Sequence, residues 1–114
     1  MPREDRLYLS HVLDAAERIE GYIAGLELVA FLDDPLRQDG VIRQLSIVGE
    51  AVKHLSQDIR ASTPDVPWGD IAGMRDRLVH DYMGVDLEAV WKTAREDVPM
   101  LKAVVRELLA TNFG

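Results

Sequence analysis

The chain has 114 residues, 47% of them apolar and 29% charged, which suits one domain with its own core. Lys and Arg number 13 against 20 Asp and Glu, for a net charge of −7, and there is no cysteine. A general nucleic-acid coat with a basic face is therefore excluded, as are disulfides and thiolate metal sites; any phosphate contact has to be local and salt-sensitive, and a reducing compartment is expected.

The opening residues are charged and lack the apolar run of a signal peptide. No apolar stretch approaches the roughly 20 residues that span a bilayer, so a soluble, cytoplasmic protein is expected. Apolar residues recur at helical spacing almost throughout, without internal repeats or strand-like alternation. The first helix is predicted over residues 3–24, started by Pro2 and stopped at Gly25, with Leu9, Val12, Leu13, Ala16, Ile19 and Ile23 on one stripe. A short piece follows that turns Leu28 and Phe31 inward. Asp34 caps and Pro35 opens a second helix predicted to run to about Arg60. Its seam of Val41, Leu45, Val48, Val52, Leu55 and Ile59 suits packing in a bundle, and its length would be about 40 Å.

The polar stretch from Ala61 to Pro67 reads as a turn. Pro67 and Trp68 open a third helix predicted to reach about Met83, and Gly84 ends it. Asp86 caps a fourth, with Leu87, Val90, Trp91 and Ala94 inward. Pro99 is expected to kink or divide the remaining helical pattern near Asp97. The expectation is an all-α, antiparallel up-down bundle of four to five helices, a single domain over 1–114.

The stretch with chemical content is Met74-Arg75-Asp76-Arg77-Leu78-Val79-His80-Asp81-Tyr82. It reads Arg, four residues, His, one residue, Tyr. An Arg, an Asp and a His on a helix commonly form a solvated polar face, and a tyrosine near a helix end is commonly a core ring with a wet hydroxyl. The flanks add weight. Pro67-Trp68 lies upstream, Gly84-Val85-Asp86 and Val90-Trp91 downstream, and Val48-Gly49-Glu50-Ala51 lies in the second helix.

With these flanks the chain resembles the HepT-like toxins of the HEPN superfamily over residues 4–110. Asp76 stands where that family usually has asparagine. The resemblance implies a helical homodimer whose paired motifs line one cleft, acting as a metal-independent endoribonuclease in a toxin–antitoxin pair. It implies Arg75 and His80 as catalytic residues. It also implies that a partner nucleotidyltransferase, the MntA-like antitoxin, silences the enzyme by attaching AMP to Tyr82. No cofactor or metal is expected. The chemistry suits the residues: metal-free cleavage uses the ribose 2′-hydroxyl as nucleophile, histidine is able to take or give the protons, and arginine stabilises the phosphoryl charge.

In a regular helix Arg75 and His80 would point about 140° apart. An irregular helix, a long reach by arginine or a second chain would each resolve this. Four-residue spacing would set Asp76 beside His80, as support that orients the imidazole. Arg77, Lys53 and His54 are candidate RNA contacts, though Lys53 and His54 with Glu50 also suit an ordinary polar flank. His11 has no assigned role. A different class remains open: a non-enzymatic helical partner, or substrate-binding subunit, of a nucleotidyltransferase.

Overall fold

A computed structural model describes residues 2–80 and 84–111, with His80 described by its backbone alone. Helix α1 (Arg3–Ile23) follows Pro2 and stops two residues before Gly25. It buries Leu9, Val12, Ala15, Ala16, Ile19 and Ile23, while Leu13 is half-buried. Helix α2 (Leu28–Leu32) is a single short piece that seats Phe31 in the core.

Helix α3 (Pro35–Lys53) starts as its sequence demands: the Asp34 carboxylate accepts the Arg37 N–H at 3.1 Å, and Pro35 occupies the first turn. It does not run to Arg60. It ends at Lys53, and a separate helix, α4 (Gln57–Ser62), begins. At about 1.5 Å per residue α3 is closer to 28 Å long than to 40 Å. The cause of the break is Ser56. Its hydroxyl caps α4, accepting from the Ile59 N–H at 3.4 Å. Its own N–H and hydroxyl donate to the two Asp5 carboxylate oxygens at 2.8 and 2.5 Å. Asp5, on the first turn of α1, is 1% exposed. Leu55 and Ile59 still bury on either side of the break.

The predicted third helix is likewise divided. Helix α5 (Trp68–Ala72) and helix α6 (Met74–Leu78) are separated by Gly73, which serves as C-cap of one and N-cap of the other. Glycine is a poor residue for a helix interior, and here it makes the elbow. Helix α6 then ends at Leu78. Val79–His80 (β1) pairs antiparallel with Gly84–Val85 (β2), Val79 opposite Val85 and His80 opposite Gly84. Gly84 takes φ +81°, which residues with a side chain rarely adopt. The third helix thus stops five residues short of its expected end at Met83, which itself lies outside the described residues, and Gly84, expected to end that helix, belongs to β2 instead.

Helix α7 (Leu87–Lys92) is capped by Asp86, whose carboxylate accepts the Ala89 N–H at 3.1 Å. A π turn over Thr93–Asp97 leads directly into α8 (Val98–Thr111). The disturbance expected at Pro99 takes this form: proline has no N–H to donate and crowds the carbonyl four residues back, and the widened turn absorbs both while the helix continues.

Three contacts show that the long elements run antiparallel. The start of α1 meets the chain just beyond the end of α3 through Asp5 and Ser56. The end of α1 meets the start of α3, where Arg37 Nε donates to the Tyr22 carbonyl at 2.8 Å. It also meets the start of α8, where Lys102 Nζ lies 2.9 Å from Glu20 Oε1. Val41, Leu45, Val48 and Val52 of α3 pack with the α1 stripe and with Val90, Ala94, Val98, Leu101 and Val105 as one core. The fold is an all-α helical bundle. No helix among the described residues is long and apolar enough to cross a membrane.

Replacing Asp5 with Ala takes the acceptor from the Ser56 N–H and hydroxyl at a half-buried helix junction. The expected loss is about 2–3 kcal/mol, because hydrogen bonds to a charged group are worth about 1.5–3 kcal/mol each and water recovers part of the loss. Urea denaturation checks this, with exposed Glu4→Ala as a control that stays near the wild type.

Candidate active site

The motif residues sit on the α5–α6 elbow and the strand that follows it. The elbow is anchored from below. Trp68 is 4% exposed, and its indole N–H donates to Thr63 Oγ1 at 2.9 Å; Thr63 in turn donates to the Ile59 carbonyl at 2.8 Å. Arg60 reaches back from α4 to the Val52 carbonyl of α3 at 2.8 Å. Met74 and Leu78 bury on the inner side of α6. With those two inside, Arg75, Asp76 and Arg77 are left on the solvent side.

Arg75 lies one residue into α6, with its side chain 45% exposed. Its one ion pair among the described residues is to the adjoining Asp76, Nη1 to Oδ1 at 3.5 Å, and that carboxylate is more exposed still. Such a pair is weak in water and screened by salt, so the guanidinium remains available to a phosphate.

His80 lies beyond the end of α6, on extended backbone. The irregular path, one of the three alternatives the spacing left open, is therefore present in this chain. Helical arithmetic does not carry across it. Asp76 and His80 are not one helical turn apart, because the helix stops at Leu78 and the chain extends from Val79. The expected contact of Asp76 with the imidazole loses its geometric basis, and the partner found for Asp76 is Arg75. The His80 imidazole and all of Tyr82 lie outside the described residues.

Arg77 points elsewhere. Its Nη2 donates to the Asp70 carbonyl at 2.9 Å, and it lines a groove of about 360 Å³ between the elbow and α8. Asp70, Met74, Asp97, Leu101 and Val104 share that lining. Lys53 and His54 stand at the end of α3 and both face Glu50, at 3.6 Å each. The His54 ring stacks on Tyr8 with centroids 4.7 Å apart, and His11 meets the edge of Tyr8. These residues form a small aromatic and charged platform. Sequence spacing alone places Lys53 and His54 near Glu50, and it has no means of finding Tyr8 and His11 beside them. Neither Lys53 nor His54 shares a hydrogen bond, ion pair or ring contact with Arg75.

A family model described as ribonuclease HepT-like matches residues 12–108. A protein of Thermococcus cleftensis named as a probable ribonuclease HepT is 41% identical over 108 residues, covering 95% of this chain and 98% of its own. A protein of Caldanaerobacter subterraneus subsp. tengcongensis, provisionally named as an RNase, is 39% identical over 104 residues, 91% of this chain and 93% of its own. One from Methanocaldococcus jannaschii, also provisionally named as an RNase, is 34% identical over 110 residues, 96% of this chain and 91% of its own. No solved structure matches significantly. With the match running from the middle of α1 to the last turns of α8, and so through the whole elbow, the chain belongs to the ribonuclease HepT-like family of the HEPN superfamily.

Proposed function

We propose that this chain is a metal-independent endoribonuclease, the toxin of a toxin–antitoxin pair, with Arg75 and His80 as its catalytic residues. The observation that carries the reading is the exposed guanidinium of Arg75 on the elbow that leads to His80, in a chain of the ribonuclease HepT-like family. The names of its relatives support RNA as the substrate.

In the proposed step the ribose 2′-hydroxyl attacks the adjacent phosphorus and the 5′-oxygen leaves. One imidazole takes the hydroxyl proton, and a second group gives a proton to the leaving oxygen. Arg75 offsets the charge that builds on the non-bridging oxygens, where its planar fork fits two of them. One chain supplies a single His80. A homodimer with the two elbows near its axis supplies the pair, one histidine as base and the other as acid. Asp76 supports the site through Arg75, holding the guanidinium until phosphate displaces it. Lys53, His54 and Arg77 are assigned to RNA contact along the approach.

Tyr82 is the proposed point of silencing. AMP attached there by an MntA-like nucleotidyltransferase antitoxin brings phosphate to the motif and occupies the place of RNA on Arg75. A chain without cysteine suits the reducing cytoplasm in which such a pair operates.

Purified wild-type protein is expected to sediment as a dimer and to cut cellular RNA in EDTA. His80→Ala and Arg75→Ala are expected to lower the rate by about 100-fold or more. Equal cleavage by His80→Ala contradicts the assignment. Absence of cleavage, with Tyr82 shown unmodified by mass spectrometry, favours a non-enzymatic partner of a nucleotidyltransferase instead. In the same assay Asp76→Asn frees Arg75 and lowers KM by up to about fivefold at low salt, an advantage that disappears at high salt. Lys53→Ala raises KM and leaves kcat in place. With the antitoxin and ATP, the wild type gains an adenylyl group and loses activity, whereas Tyr82→Phe gains none and stays active; modification of Tyr82→Phe would place the silencing site elsewhere.

A further inference from the structure

We propose that Gly49 of α3 is a positioning residue for Arg75, setting the depth at which the α5–α6 elbow lies against the bundle. The proposal rests on the ribonuclease reading above.

Gly49 is a buried residue inside α3, where glycine is a costly choice for helix stability. Local helix formation does not call for it, and the packing does. A methyl group added at Gly49 would meet the Ala72 carbonyl oxygen at 3.1 Å, the Ile71 carbonyl oxygen at 3.5 Å and the Ala72 carbonyl carbon at 3.8 Å. All three atoms are backbone, so no side chain is available to rotate aside. By contrast, a methyl group at Gly21 in α1, or at Gly69 in α5, meets nothing within 4 Å. Gly49 is thus the bare spot on which the end of α5 rests.

The two sides of this contact are not equally held. Val48 and Val52, which flank Gly49 on α3, are 1% and 0% exposed and belong to the central core with α1. The opposing α5 is five residues long and ends in the Gly73 elbow. A side chain at position 49 therefore displaces the elbow and leaves α3 where it is. Arg75 follows Ala72 by three residues, with Gly73 and buried Met74 between them. A shift of a few tenths of an ångström at Ala72 is passed to the guanidinium. Charge stabilisation of a transition state is sensitive to displacements on that scale.

The decisive variant is Gly49→Ala, compared with Gly21→Ala, which brings the same change of helix propensity without a contact. Gly49→Ala is expected to lower kcat by about tenfold with KM nearly unchanged. Its melting temperature should stay at or above the wild type's, since alanine favours the helix and offsets the contact. A merely structural glycine predicts the reverse: a lower melting temperature, with activity lost only as the protein unfolds. In an Arg75→Ala background Gly49→Ala should cost less than about twofold, because the residue it positions is gone. A full tenfold loss there, or an unchanged kcat in the single variant, overturns the proposal. The Arg75 Nε–Hε resonance, assigned with Arg75→Lys, provides a readout without catalysis. It should move in Gly49→Ala and hold still in Gly21→Ala. If wild-type protein with Tyr82 unmodified cuts no RNA, the ribonuclease reading fails, and this resonance alone decides the positioning claim: an unmoved signal ends it.

Discussion

The placement of the site depends on a buried carboxylate. Asp5 sits on the first turn of α1 and accepts both the N–H and the hydroxyl of Ser56, 51 residues later. A buried acceptor of this kind is tolerated only when its hydrogen bonds are made, and the two Ser56 donors at the start of α4 make them. Each therefore fixes the other. The consequence is that the apolar seam of α3 does not continue as one helix; α3 ends at Lys53 and α4 starts afresh behind its Ser56 cap. The turn tied by Thr63 and Trp68 then returns the chain to α3 and delivers α5 and α6 against its flank.

What arrives there is a bent platform with Arg75 on its outer face. The motif's spacing of Arg, four residues, His has no simple meaning on a helix, where the two side chains diverge. On this chain the helix ends between them. Leu78 closes the buried side of α6, Val79 and His80 pair with Val85 and Gly84, and Gly84 supplies the left-handed backbone that the return requires. The net charge of −7 then matters less than its distribution. Arg75 is exposed, and its ion pair among the described residues is to an exposed neighbour, so the acidity of the whole does not by itself close this position to an anion.

Elements governed by neighbours in sequence were legible in the sequence. Pro2, Asp34 with Pro35, and Asp86 start helices where they should, and the apolar stripes of α1 and α3 are the core. Pro99 announces a disturbance, and the π turn is its form. Elements governed by distant partners were not legible. The break at Ser56 needs Asp5, and the local pattern from Val41 to Ile59 offers one hint of it, a serine with an acidic residue two positions on, a helix-start signature inside an apolar seam. Gly73 and Gly84 are both visible as glycines, but the sequence marks the second as the helix stop, whereas the break falls at Gly73 and Gly84 lies in β2. The motif itself was legible as a string of residues. Its geometry was not, since helical arithmetic for Asp76 and His80 presumes a helix that Leu78 ends.

The central claim is that Arg75 and His80 serve a cleavage in which RNA supplies its own nucleophile. The chemistry of the product ends tests this most directly. A defined RNA is cut by the purified protein in EDTA, and the fragment termini are identified by mass spectrometry. The account predicts 2′,3′-cyclic phosphates and 5′-hydroxyl ends, absent with His80→Ala. Fragments with 3′-hydroxyl and 5′-phosphate ends would mean that water, and not the ribose, is the attacking group, and would contradict it.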